Sequence, residues 1–476
     1  MQSINQTVPS FNKPLSTELS RQFAGKRLLR QEIQVESTVF TRLLAEQQFT
    51  ATPSMVRQQW KLTCQRCGNQ TPHLIGRMPC FRCQSTHAYC RKCIHMGRVS
   101  ECEALYIWSG EIPGWTKHED PCTWKGELTT QQQLAADRIV QAIDNQEKEL
   151  LVYAVCGAGK TEMLFPGITA ALQRGWRICI ATPRADVVRE LKPRLQTAYH
   201  DVSIEALYGG SPDRSGTAQL LLATTHQLLR FYRAFDVMII DEIDAFPYHA
   251  DASLPYATKH AITNQATTIY LTATPRPKDQ SRLNRGKLPH VFVPVRYHGH
   301  PLPVPQLKLV WSLKKHIQHF TIPKELSDWL INRKQPNRQL LIFTPTIMLA
   351  ERFYTPMAAL LQNLGIIEHT EQLATVHAED PNRTEKVQQF RNKKLLVLIT
   401  TTILERGVTF PSVDVAILAA GHTVFDEAAL VQIAGRAGRS GDDPTGEVIF
   451  FHDGKTDAMI QAIHSIKKMN HRAGLE

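Results

Sequence analysis

The chain has 476 residues, a formal charge of +11, and 42% apolar against 21% charged residues. This is a globular composition, and the length exceeds what one hydrophobic core supports, so two to four domains are expected and a disordered or fibrous chain is excluded. No apolar run reaches the roughly 20 residues that a membrane-spanning helix needs, and MQSINQTVPSFNKPLS lacks the features of a secretion signal, so a cytoplasmic chain without a membrane span is expected. Residues 1–127 carry 16 Lys and Arg against 10 Asp and Glu. That excess favours a polyanionic partner, either nucleic acid or an acidic membrane surface.

Residues 1–60 read as a polar extension with a modest helical pattern in TELSRQFAGKRLLRQEI. Residues 61–126 form a Cys-rich module. Within it, residues 64–98 pack six of the chain's ten cysteines into three C-x-x-C pairs: Cys64 and Cys67, Cys80 and Cys83, Cys90 and Cys93. In a reducing compartment such pairs hold metal rather than form disulfides. A Zn²⁺ ion takes four thiolates tetrahedrally, and six exceed one site. The favoured set is Cys64, Cys67, Cys90 and Cys93. Cys80 and Cys83 either replace the Cys90/Cys93 pair, bind a second ion with His73, His87 or His95, or remain spare thiols. An all-thiolate zinc has no open position, so its role is to hold a core-poor segment rigid. Arg66, Arg77, Arg82, Arg91, Lys92 and Arg98, interleaved with Phe81 and Tyr89, suit single-stranded nucleic acid, and a protein-docking module is the rival reading. Trp108, Trp115 and Trp124, spaced by Pro113, Gly114 and Pro121, point to an irregular, strand-poor stretch.

From LTTQQQLAADRIVQAI onward the pattern changes. ELLVYAV, WRICIATP, AQLLLATT, FDVMIIDEID and ATTIYLTATP are short apolar runs separated by helical segments, the signature of a buried parallel α/β sheet over 127–296. PHVFVPVRYHGHPLPVPQL is dense in proline and reads as a linker. RQLLIFTP, LATVHAED, KLLVLITTT, VDVAILAA and GEVIFF repeat the rhythm over 297–476.

AVCGAGKTE stands where a strand gives way to a helix, the context of a phosphate loop. Gly157, Ala158 and Gly159 let backbone N–H groups face phosphate oxygens, Lys160 neutralises the terminal phosphates, Thr161 holds Mg²⁺, and Glu162 follows in the first helical turn. DEID ends a buried strand, where uncompensated carboxylates are costly; Asp241 suits Mg²⁺ and Glu242 suits activation of the attacking water. In QIAGRAGR, Arg436 and Arg439 carry the delocalised charge that phosphoryl transfer demands, with Arg439 the expected finger. ATP and Mg²⁺ are therefore expected cofactors, alongside Zn²⁺. Cys156 lies inside the phosphate loop, and Cys179 reads as buried filler.

These motifs, in this order, resemble the superfamily 2 helicases and translocases, which implies two tandem RecA-like parallel-sheet lobes preceded here by a small zinc-binding module. The resemblance implies further roles: Gln132 reads adenine; Thr182, Pro183, Arg184, Gly209, Gly210, Thr224, Thr225, Thr344, Thr400 and Thr401 grip the DNA backbone; Thr272, Thr274 and Gln432 couple hydrolysis to strand movement. YCRKCIHMGR, GAGKTE, TPRADVV, DEIDAFP, TATP, ILERGVTFP and QIAGRAGR are together most similar to the ComFA family of competence ATPases. That resemblance implies ATP-driven handling of incoming single-stranded DNA at the inner face of the membrane, with ComFC, DprA and the ComEC channel as partners. A PriA-like repair helicase and a non-enzymatic zinc-held DNA-binding scaffold are the alternatives.

Overall fold

The structure is a computed structural model that describes residues 13–405 and 410–475. By its internal contacts the chain divides into two units. The first holds 13–127, Ala136–Leu151 and Leu164–Leu271; the second holds Leu128–Ala135, Val152–Met163 and 272–475. Among the described residues no helix is long and apolar enough to cross a membrane.

The first unit opens with a core that the sequence did not announce. Helix Lys13–Phe23 leads to β1 (Arg27–Leu28), and helix Ser37–Ala45 leads to β2 (Phe49–Pro53). Two hairpins follow, β3 (Met55–Gln58) with β4 (Lys61–Cys64), and β5 (Ile75–Pro79) with β6 (Thr86–Cys90). The chain then returns as β7 (Ala104–Trp108), which pairs antiparallel with both β1 and β2. Leu19, Phe23, Phe40, Leu43, Phe49 and Trp108 fill the space between helices and sheet. Phe49 meets the Trp108 ring edge-on at 5.2 Å. The expected polar extension is thus, over its described part, half of a core shared with residues 104–108, and the Cys-rich segment is an insertion within it. Trp108 lies in a strand, not in the irregular stretch expected for it.

The same unit carries most of the first parallel sheet. Its strands are β8 (Glu149–Ala154), β9 (Ile178–Thr182), β10 (Ile204–Leu207), β11 (Leu220–Thr224), β12 (Phe235–Ile240) and β13 (Ile262–Thr272), with β14 (His290–Val293) at the edge; the order is β10-β11-β9-β12-β13-β8-β14. β9 and β11 are buried at every position, as strands covered on both faces must be. Pro289 and Pro294 bracket β14 rather than interrupt it, so the proline-dense segment contributes an edge strand where a bare linker was expected.

The second unit contains the second parallel sheet: β15 (Gln306–Leu309), β16 (Gln339–Phe343), β17 (Leu373–Val376), β18 (Val397–Thr400), β19 (Val413–Ile417) and β20 (Val448–His452), in the order β15-β20-β19-β16-β18-β17. All its pairings are parallel. Helix Ile347–Asn363 buries Leu349, Phe353, Met357 and Leu361 at helical spacing against Leu340, Ile342 and Ile399. Asp414, fully buried in β19, is neutralised by Arg333 and Arg338, both at 3.4 Å.

Phe49 supports the N-terminal core, whereas Phe81 is 93% exposed. Phe49→Ala should therefore cost about 3–5 kcal/mol in urea denaturation, and Phe81→Ala should stay within about 0.5 kcal/mol.

Candidate nucleotide site and metal centre

β8 ends at Ala154, and helix Lys160–Gln173 begins immediately after the glycine turn. Gly157 and Gly159 take φ of +83° and +72°, a region that only glycine enters without strain. Gly159 has a second reason: a Cβ there would lie 2.3 Å from Gln132 Nε2. The Gln132 amide donates to Ala158 O at 2.9 Å and accepts from Thr129 N–H at 2.8 Å. Gln132, expected to read adenine, thus ties the start of helix Thr130–Asp144 to the loop.

The loop also touches the QIAGRAGR segment within the second unit. The Cys156 thiol donates to Gln432 Oε1 at 2.9 Å, and a Cβ on Gly435 would fall 2.6 Å from Cys156 Cβ. Beside them stands Arg296, which sequence reasoning missed. It is 1% exposed, and its guanidinium donates to the carbonyls of Gly438, Ala437 and Gly435. Its stem packs over Gly157, and Tyr297 N–H donates to Gly157 O at 3.0 Å. Burial and the nearby Arg439 charge pull the Arg296 pKa down to about 10, so it stays charged at neutral pH. An isolated arginine in a proline-dense run carries no pattern that would have flagged it. Arg436 is buried, donating to Glu405 O at 3.0 Å; Arg439 is half-buried, donating to Gly435 O at 3.2 Å.

In the first unit, Asp241 and Glu242 follow β12 in a turn, not in a helix. Asp241 Oδ1 accepts the Glu242 N–H at 2.9 Å. Glu242 sits at φ +57°, a conformation that costs a non-glycine residue on the order of 1 kcal/mol or more. Its Oε2 is buried with no hydrogen-bond partner among the described residues. Thr182 and Thr224 end neighbouring strands in register, β9 and β11. The hydroxyls of Thr182 and Thr225 are likewise buried without a partner among the described residues. Arg184 caps helix Ala185–Ala198 after the buried Pro183, and Gly209 and Gly210 form an open turn.

Thr344 and Thr400 are fully buried, and their hydroxyls donate to backbone carbonyls of Thr346, Thr400 and Val376. Thr401 is half-buried at the start of the next turn. Thr272 accepts the Thr274 N–H at 3.0 Å, which tightens the TATP turn. Within ILERGVTFP, residues 406–409 lie outside the described residues.

The Cys64, Cys67, Cys90 and Cys93 sulfurs all lie within 4.8 Å of one another and are buried. Sγ–Sγ distances of 3.8 Å (Cys64 to Cys93) and 3.5 Å (Cys67 to Cys90) fit four thiolates around a tetrahedral ion, where Zn–S near 2.3 Å implies about 3.8 Å. The knot is fastened to the rest of its unit through Arg66, which is 0% exposed. Arg66 bonds Glu32 and Met96 O at 2.7 Å each, and Leu229 O at 3.3 Å. A Cβ on Gly68 would enter the Tyr256 ring, and Tyr256 Oη donates to Gln65 O at 3.2 Å. Lys92 pairs with Asp251 at 2.6 Å. Burial pushes the Asp251 carboxyl up, but bonds from Lys92 and Ser253 outweigh it and hold its pKa below the usual range. Arg66 and Lys92 are therefore structural here, which leaves Arg77, Arg82, Arg91 and Arg98 exposed for a polyanion.

A family model described as the N-terminal domain of competence protein ComFA matches residues 11–107. Models for a type III restriction enzyme res subunit and a helicase conserved C-terminal domain match 125–277 and 321–441. The chain is 43% identical to competence protein ComFA of Bacillus subtilis over 97% of both chains. It is 38% identical to competence protein ComFA of Streptococcus pneumoniae over 92% of this chain and 96% of that one. Solved structures share the fold: Saccharomyces cerevisiae Dbp5 bound to RNA and ADP BeF3 (TM-score 0.52, 18% identity, 72% of this chain and 88% of that one) and Mycobacterium smegmatis helicase Lhr bound to ssDNA and AMP-PNP (0.53, 18%, 74% and 51%). Both parallel sheets are thus of the RecA-like helicase type.

Removing Arg66 leaves Glu32 and two carbonyls short of a donor in a dry site. Arg66→Ala should lower stability by about 3–5 kcal/mol in chemical denaturation, far more than Arg91→Ala at the surface.

Proposed function

The chain belongs to the ComFA family, and from that premise we propose that it moves along single-stranded DNA, driven by ATP, as DNA is brought into the cell. It is an ATP-hydrolysing enzyme of helicase type associated with competence. The observation that carries the finer reading is the direct seam between the phosphate loop and QIAGRAGR, formed by Cys156, Gln432 and Arg296. Any change in what the loop holds reaches the arginine segment through bonded neighbours, which is what a motor needs to couple nucleotide state to movement.

In this reading Lys160 and the N–H groups of Gly157–Thr161 bind the phosphates. Thr161 and Asp241 supply hard oxygen ligands of the type Mg²⁺ takes. When bound, Mg²⁺ offsets phosphate charge. Glu242 orients and deprotonates the attacking water; its unpartnered buried oxygen and strained backbone support that role. Arg439 and Arg436 face the charge that develops at the phosphate. Gln132 holds the loop in shape from behind. Thr182, Thr224, Thr225, Arg184, Gly209 and Gly210 grip DNA phosphates at strand ends and turns without reading bases. Cys64, Cys67, Cys90 and Cys93 hold a structural Zn²⁺. Placement at the inner membrane face, with ComFC, DprA and ComEC as partners, belongs to the same proposal through the family resemblance.

ATP turnover measured side by side with single-stranded DNA, duplex DNA and RNA tests this reading. Single-stranded DNA should raise the rate most; a rate indifferent to DNA removes the translocase. Glu242→Gln should lower kcat at least about 100-fold while nucleotide still binds, and Lys160→Ala should abolish binding itself.

A further inference from the structure

We propose that the chain holds a second Zn²⁺, bound by Cys80, Cys83, His87 and Cys102 at the tip of the β5–β6 hairpin. The inference is independent of the motor reading. Cys102 stands alone between Glu101 and Glu103, so spacing gave no reason to join it to a C-x-x-C pair.

Backbone geometry at Cys80 matches that at Cys64. In the Cys64 turn, Cys64 N–H donates to Asn69 O, Gly68 N–H donates back to Cys64 O, and Gly68 takes φ +71°. The Cys80 turn repeats this residue for residue: Cys80 N–H donates to Ser85 O, Gln84 N–H donates to Cys80 O, and Gln84 takes φ +56°. Glutamine is strained in that conformation where glycine is not. Two turns of one shape, both of the C-x-x-C knuckle type, imply one use.

Separate stretches of chain also converge at the hairpin tip. Cys102 comes from a different stretch of chain. Cys90 N–H donates to Val99 O and Glu101 N–H to Ala88 O, each at 2.9 Å, so residues 99–101 run alongside β6 toward its tip. The Glu101 carboxylate takes the Ala88 N–H at 2.8 Å and holds that approach. Cys102 Sγ then lies 3.3 Å from Cys80 Sγ and 3.5 Å from Cys83 Sγ. His87, on β6, places Nε2 2.9 Å from Cys83 Sγ. The three sulfurs lie within 4.8 Å of one another; with the His87 imidazole turned from Cys83 onto the metal they make the S₃N set of a closed zinc site. Binding displaces the three thiol protons to solvent and uses neutral imidazole.

Need points the same way: Phe81, Arg82, Cys83 and Gln84 are exposed at the tip, and none of the four is supported by burial in an apolar core. A two-stranded hairpin is marginal in water without such support. Metal ligation supplies it, as it does at the other end of the same hairpin, where Cys90 and Cys93 belong to the first site.

The test is zinc content of the full-length protein, purified under reductant without chelator, by native mass spectrometry and elemental analysis. Two zinc ions per chain are expected, falling to one in Cys102→Ala and in Cys80→Ala. One ion in the parent chain overturns the proposal, as does a Cys80–Cys102 disulfide in that preparation, or two ions persisting in Cys102→Ala. A cobalt titration of the metal-free parent chain, independent of any variant, should reach its thiolate-to-metal absorbance plateau at two equivalents. A plateau at one equivalent overturns it equally.

Discussion

Arg66 sends three nitrogens to three stretches of chain that sequence separates widely: Glu32 beside the N-terminal core, Met96 just beyond Cys93, and Leu229 after β11. A guanidinium with no solvent contact is costly unless every donor finds an acceptor, so those stretches are held at fixed mutual positions. The N-terminal core, the cysteine knot and the segment that follows β11 are thereby tied together. Tyr256 under Gly68 and Lys92 on Asp251 extend the attachment into helix Ser253–Ala261 and the turn before it, which begin just beyond Glu242 in the chain. The cysteine knot is therefore a structural part of the motor's first unit rather than an appendage on a tether.

The nucleotide machinery shows a different economy. Gly157, Gly159 and Gly435 leave room for Arg296, Gln132 and Cys156 to pack where a Cβ would crowd or strain the turn. The loop is shaped from behind by a buried amide and from the side by a buried arginine. Cys156 matters here as a small donor to Gln432. Arg296 holds three carbonyls of the arginine segment, those of Gly435, Ala437 and Gly438, which fixes where Arg439 begins.

The parallel sheets were legible because strands covered on both faces are uninterrupted apolar runs, and β9, β11, β16, β19 and β20 have no exposed position. The phosphate loop, DEID and QIAGRAGR were legible because phosphate chemistry restricts residue type at each position. The N-terminal core was not, since β1 has two residues and β2 finds β7 only across an insertion of about fifty residues, which hides any local period. Arg66 and Lys92 looked like DNA contacts because charge is read as surface until a partner far along the chain is known. Cys102 and Arg296 have no sequence neighbours that mark them.

The joining of the cysteine knot to the first unit is the claim on which the rest turns, and hydrogen exchange before and after treatment with a metal chelator measures it directly. Exchange should rise not only across residues 54–103 but also around Leu229 and through Ser253–Ala261, which the knot holds. A rise confined to 54–103, with helix Ser253–Ala261 as protected as before, would contradict it.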